Sequence, residues 1–228
     1  MSAVLSPVID GQPSSLSFGK VVCVGRNYAE HAKELNNPIP SQPILFMKPT
    51  TSVVPMAQSL VIPQDQGSVH HELEIALLIG EPLTNAEASG CAQAIVGVGL
   101  ALDLTLRDVQ ATLKEKGHPW ERAKAFDGAC PVSEFVGADQ IQDWNNIPLQ
   151  LTRNGDIQQQ GNSAEMLFPI LPLVAHISKV FSLQPGDLIL TGTPAGVGPL
   201  ESGDQLEAKL FSESLKSDAL LQVATQVY

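Results

Sequence analysis

Basic residues are scarce in this chain of 228 residues: 13 Lys and Arg stand against 24 Asp and Glu, a formal net charge of −11, with a pI near 4.7. That shortage argues against a nucleic-acid partner, which needs a basic surface to displace phosphate counterions. It also argues against docking on anionic membranes. It leaves ligand charge open, because an acidic protein can be locally basic at one site. Long apolar runs are missing too. The longest, near Ala94–Leu102, is interrupted by Gly97 and Gly99 and stopped by Asp103, well short of the ~20 residues of a membrane-spanning helix. The opening MSAVLSPVIDGQPSS has neither the basic nor the apolar region of a secretory signal. Cysteine is limited to Cys23, Cys91 and Cys130 with no CxxC, which suits a reducing compartment better than a disulfide scaffold. The expected location is the cytoplasm.

Several catalytic signatures are absent as well. After His70-His71-Glu72, the zinc-protease pattern HExxH requires histidine at position 75, which is Ile75. The glycine-rich stretch Thr191-Gly192-Thr193-Pro194, followed by Gly196 and Gly198, lacks the Gly-Lys-Ser/Thr of a phosphate loop. It can still offer backbone N–H groups to an anion. No GxSxG nucleophile elbow occurs.

What is present is a globular composition, 43% hydrophobic and 16% charged, with enough length for one well-buried core. Residues 1–18 read as an N-terminal strap or short hairpin, and 19–228 as a single catalytic domain. Strands are expected at Val21–Gly25, Ile44–Lys48, His70–Gly80, Ala94–Leu104, Leu188–Thr191, Gln205–Leu210 and Leu220–Val227. Asn27 reads as the N-cap of a helix ending by Asn36-Asn37-Pro38, with Glu30 completing a variant of the capping box. Amphipathic helices are expected over Leu104–Lys116, stopped by Gly117, and over Phe168–Phe181. Asn154-Gly155 between Leu149–Thr152 and Ile157–Gln160 predicts a two-residue hairpin turn. The irregular alternation points to an α+β fold rich in strands.

Three constellations can carry chemistry. Glu72 and Glu74 at i, i+2 on a strand share one face while Leu73 and Ile75 take the other. Side-by-side carboxylates repel unless a proton or cation separates them, and oxygen ligands suit Mg²⁺, Mn²⁺ or Ca²⁺ rather than zinc. A solvated strand face is the plainer alternative. Asp103 ends an apolar strand, where it can cap a following helix or face the glutamates from a neighbouring strand. His31 and Glu34, at i, i+3, share a helix face, either as an oriented general base or as a surface ion pair.

Seven segments in this order resemble the fumarylacetoacetate hydrolase superfamily, and within it the short single-domain acylpyruvase and oxaloacetate decarboxylase branch. They are VGRNYAEHAKEL (24–35), ILFMKP (44–49), HHELEIALLIG (70–80), ALDLTLRDVQ (101–110), WERAKAFDGACPVS (120–133), RNGDIQQQG (153–161) and LILTGTPAGVG (188–198). The resemblance implies a mixed-sheet β-roll and a homodimer. It implies a Mg²⁺ or Mn²⁺ ion held by Glu72, Glu74 and Asp103, and a water-activating dyad of His31 and Glu34. It further implies an active-site lysine at Lys124, substrate contacts from Arg107 and Gln110, and pocket positions at Arg26, Lys48 and Thr193. The expected substrate is a small 2-oxo acid. The expected reaction is hydrolysis of a C–C bond in acylpyruvates, decarboxylation of oxaloacetate, or both, each leaving pyruvate as an enolate stabilised by the cation. Two alternatives stand beside it: a 2-oxo-acid tautomerase or isomerase using the same groups, and a binding module that turns nothing over.

Overall fold

The computed structural model describes residues 5–216 and 218–228. Its main sheet runs, edge to edge, through Gln12–Pro13, Val8–Ile9, Cys130–Gly137, Ile95–Leu102, Leu73–Ile79, Leu188–Leu190, Val21–Gly25 and Ile44–Lys48, with Val53–Pro55 also paired to Cys130–Gly137. The sheet is mixed. Leu188–Leu190 runs parallel to Val21–Gly25, whereas Leu73–Ile79 is antiparallel to both its neighbours. A second sheet orders Asp156–Asn162, Pro148–Arg153, Gln205–Phe211 and Ala219–Gln226, all antiparallel. The fold is therefore α+β and strand-rich, as its sequence pattern predicts.

Both faces of the main sheet are covered, which explains unbroken apolar runs such as LEIALLI. Val22, Val24, Ile75, Leu77 and Ile189 enter the larger core. Their alternates Val21, Cys23, Ala76, Leu78 and Leu190 enter a smaller one. All three cysteines are free thiols and buried. Among the described residues, no helix is long and apolar enough to cross a membrane.

The Asn154-Gly155 turn has positive φ at both residues, 55° and 90°, and Arg153 pairs with Asp156 across it, the geometry a two-residue hairpin turn requires. The helix expected over Phe168–Phe181 runs Ile170–Val180. Pro169 caps it and Pro172 lies in its first turn, where a missing N–H costs no helical hydrogen bond.

Three local expectations need correction. The strand predicted over His70–Gly80 breaks at Glu72. Val69–His71 belongs to a small sheet with Thr105–Leu106 and Gly198–Pro199, and the main-sheet strand begins at Leu73. Asp103 caps no helix: the next helix is Arg107–Glu115, its N-cap position is Leu106, and Thr105–Leu106 forms a short strand between. Asn27 is not the N-cap of the first helix either, which spans Ala29–Glu34 with Tyr28 at the cap and no side-chain cap bond. Asn27 is instead fully buried. Its amide donates to the carbonyls of Thr191 (2.7 Å) and Phe168 (3.1 Å), and its Oδ1 accepts from the Phe168 N–H (2.8 Å). Three tertiary bonds outweigh the single bond of a cap, so the helix starts one residue late.

Candidate active site

Strand pairing assembles the carboxylates. Leu73 pairs with Leu102 and Glu74 with Ala101, and the Asp103 N–H donates to the Glu72 carbonyl at 2.8 Å. Glu72 therefore stands opposite Asp103 and Glu74 lies diagonal to it, all on one sheet face. One carboxylate oxygen from each lies within 4.8 Å of the others, and all three residues are buried. The kink at Glu72 leaves the pair on the same side, so the i, i+2 expectation survives the broken strand.

Three cations answer these acids. Lys124, the last residue of the short helix Glu121–Lys124, sets its ammonium 2.8 Å from Glu72 and 2.6 Å from Asp103. Arg107, the first residue of its helix, pairs with Glu72 and donates to Gln110 Oε1 at 2.8 Å. Lys48 approaches Asp103 Oδ1 at 2.7 Å. Burial opposes the Glu72 charge, but Lys124 and Arg107 outweigh it and hold Glu72 well below the usual carboxylate range. Burial likewise opposes the Lys124 charge, and Asp103 and Glu72 outweigh it, holding the ammonium above the ordinary lysine value. Glu74 behaves oppositely. Burial, then Asp103 and Glu72, pushes its carboxyl well up, and the Gly192 N–H at 2.6 Å compensates only in part.

The donor set fits a hard divalent cation. Three buried carboxylates converge, and one of them is forced toward its proton by its neighbours. Asp103 Oδ1 is buried and accepts no hydrogen bond, Lys48 being close enough to pair but not aligned to donate. A proton or an oxygen-seeking cation relieves such a cluster.

Above the carboxylates a cavity is lined by Arg26, His31, Arg107, Gln110 and Thr193 in addition to Lys124 and the three acids. His31 is only 5% exposed, and its Nδ1 lies 3.2 Å from Glu34 Oε2. The other Glu34 oxygen accepts the Gly196 N–H at 3.0 Å. The glycine-rich stretch thus presents N–H groups to two of the protein's own carboxylates, Glu74 through Gly192 and Glu34 through Gly196. Gly192 must be glycine: φ is +96°, and an added Cβ would stand 2.6 Å from the Asn27 Cβ.

Lys48 departs from its expected pocket position. It has no solvent exposure, lies outside the cavity lining, and donates to the carbonyls of Ala129 (3.0 Å), Leu104 (3.4 Å) and Lys124. Its position at the end of Ile44–Lys48, paired with Val21, carries the ammonium beneath Asp103 rather than into the cavity. Three further residues escaped the sequence reading. Gln159, 1% exposed, joins the second sheet to the site: its Oε1 takes His71 Nδ1 (3.0 Å) and the Leu73 N–H (2.9 Å), while Nε2 donates to Thr193 Oγ1 (2.7 Å) and the Pro194 carbonyl (3.0 Å). It stands in the predicted hairpin strand, where three consecutive glutamines, Gln158 to Gln160, give no sign of which member is buried. Lys114 and Trp120 also line the cavity, and only the return of the chain after Gly117 brings Trp120 there.

The mixed strand-rich fold that carries this site is matched by known proteins over nearly the whole chain. The family model for the fumarylacetoacetate (FAA) hydrolase C-terminal domain matches residues 20–227, and the chain belongs to that family. It is 52% identical over 202 residues to the oxaloacetate tautomerase YcgM of Escherichia coli K12, covering 88% of this chain and 92% of that one. It is 43% identical over 189 residues to the mitochondrial oxaloacetate decarboxylase of Dictyostelium discoideum, covering 82% and 87%. The crystal structure of fumarylpyruvate hydrolase from Pseudomonas aeruginosa in complex with Mn²⁺ and pyruvate superposes with a TM-score of 0.88 at 30% identity, covering 100% of this chain and 98% of that one.

Proposed function

We propose that this protein is an enzyme of small 2-oxo acids that interconverts the keto and enol forms of oxaloacetate. The observation that carries the reading is the buried floor of Glu72, Glu74 and Asp103 with the Lys124 ammonium held against two of them. The resemblance to a named oxaloacetate tautomerase supports the choice of substrate. Glu72, Glu74 and Asp103 would hold Mg²⁺ or Mn²⁺, and the bound cation supplies Lewis acidity that polarises the 2-oxo group.

The remaining work falls to side chains of this chain. His31, with Nδ1 directed to Glu34, keeps Nε2 free to take the proton from carbon 3. The electron pair of that C–H bond forms the C2–C3 double bond, and charge moves onto the C2 oxygen. Lys124 stabilises that oxygen as a fixed positive charge. Solvent protonates that oxygen and completes the enol. Return of the His31 proton to carbon 3 regenerates the keto form. Gln110 orients Arg107, and Thr193 braces the strand end through the Leu73 carbonyl at 2.8 Å.

A second reading is cleavage, either decarboxylation of oxaloacetate or hydrolysis of an acylpyruvate. The decarboxylase and fumarylpyruvate hydrolase relatives favour it. In acylpyruvate hydrolysis the same dyad activates water instead of carbon 3, whereas loss of CO₂ from oxaloacetate needs no activated water. One assay separates the two. Oxaloacetate with Mg²⁺ is followed by ultraviolet absorbance for loss of the enol and by NMR for pyruvate. Tautomerisation predicts fast enol–keto exchange without pyruvate; pyruvate appearing at the rate of enol loss would overturn it. The proposed assembly is a homodimer, which light scattering checks.

A further inference from the structure

The five cations around the cavity fall into two groups. Lys48, Arg107 and Lys124 are each matched to a carboxylate of the floor. Arg26 and Lys114 line the same cavity and, among the described residues, neither makes an ion pair. The polar contact of the Lys114 ammonium is the neutral Asn37 Oδ1 at 3.0 Å. Burial, then Arg26 and Arg107, pulls the Lys114 proton affinity down, so these charges are close enough to repel. Arg26 is held in left-handed backbone, φ 60°, a conformation unfavourable for a non-glycine residue. On a protein with a surplus of 11 negative charges, two cavity-lining cations that, among the described residues, make no ion pair mark a place for an external anion.

We propose that Arg26 and Lys114 form an anion subsite at the cavity mouth that takes the distal carboxylate of a dicarboxylic 2-oxo acid, and so set selectivity for dicarboxylate over neutral-tailed substrates. This rests on the 2-oxo-acid reading above. The 2-oxo acid head binds at the floor, and the tail carboxylate receives charge-assisted hydrogen bonds from the Arg26 guanidinium and the Lys114 ammonium. A substrate of equal length without that carboxylate leaves both cations unpaired. Lys114 stands on the exposed side of its helix, so solvent screens its share and a moderate rather than large effect follows.

The test compares oxaloacetate with 2-oxobutyrate, which has the same number of carbons and no distal carboxylate. Binding to the Mg²⁺-supplemented protein is read by stopped-flow tryptophan fluorescence, for which Trp120 in the cavity wall is a reporter. The wild type should bind oxaloacetate at least about tenfold more tightly. Lys114→Met should weaken oxaloacetate binding about five- to twentyfold and leave 2-oxobutyrate within about twofold, and Lys114→Arg should restore selectivity. Arg26→Met should shift the same ratio in the same direction. Equal affinity of the wild type for both acids, or a Lys114→Met loss shared equally by both, would overturn the subsite. Selective binding of oxaloacetate without faster enol–keto exchange upholds the subsite and removes the proposed activity; exchange without selectivity does the reverse.

Discussion

The floor and the rim of the cavity are built on opposite principles. On the floor, Glu72 and Asp103 are each paired with two of Lys48, Lys124 and Arg107, while Glu74 makes no ion pair among the described residues and accepts the Gly192 N–H. Most of these groups have almost no solvent exposure. The rim consists of a short helix, a loop and one helix face carrying Arg26, His31, Glu34 and Lys114, and its ties are fewer. Apart from His31 with Glu34, its polar bonds reach backbone or a neutral amide. The paired part of the floor is rigid, because removing one of its cations leaves buried acceptors short of a donor. An under-matched rim can change partners when a ligand arrives, because its groups keep access to water. Stability should therefore reside in the floor and turnover control in the rim.

The most severe way to break the floor is Lys48→Met. Asp103 loses one of its two counter-ions, Lys124 remaining, and three carbonyls lose a donor. Stability should fall by about 3–5 kcal/mol, read as the midpoint of urea unfolding; an unchanged midpoint would show that the floor is not the stabilising element. Glu74→Gln should separate stability from function at the same depth. Its carboxyl is pushed up by burial and by Asp103 and Glu72, so the native state holds its proton more tightly than the unfolded chain. That term erodes stability as pH rises from the ordinary carboxylate value through the native one, and the amide removes it. In chelator-treated buffer at pH 7–8, Glu74→Gln should melt at or above the wild-type temperature, while Mg²⁺ affinity and turnover fall about 10³-fold or more. A lower melting temperature would contradict the sign.

Rim changes should leave folding and cation affinity intact. His31→Ala should reduce oxaloacetate enol–keto exchange about 10²-fold, with calorimetric Mg²⁺ binding unaltered; an equal loss of Mg²⁺ affinity would move His31 into the floor. The smallest effect belongs to Glu34→Gln, which keeps an oxygen for the Gly196 N–H but loses the charge beside His31. About tenfold slower exchange with an unchanged melting temperature is expected, and a full His31-sized loss would make the pair a single unit.

Legibility in the sequence followed the same division, with one exception. The acids of the floor were readable because strand periodicity places Glu72 and Glu74 on one face and an apolar strand ending in Asp103 stands next in the chain. The His31–Glu34 spacing was readable for the same local reason. Lys48 is the exception: the motif marks it as a site residue, but its depth beneath Asp103 follows from pairing with Val21 at the far end of the sheet. Asn27 misled through a sound local rule, because a cap competes with distant acceptors that the rule does not contain. The glycine-rich stretch was legible as a donor of N–H groups, yet the anions it serves, Glu74 and Glu34, come from other parts of the chain.

By itself the sequence determined element types, the shared face of the first two acids, the tight Asn154-Gly155 turn and the family to which the chain belongs. These depend on interactions a few residues long, where side-chain spacing and backbone preference suffice. Only the tertiary structure decided which cation answers which acid, that Lys48 supports the site from below, and that Arg26 and Lys114 line one cavity with no acidic partner among the described residues. Those outcomes depend on strand register and on the burial that removes water from competition. A charge of −11 spread over the chain carries no record of where its few cations will be gathered.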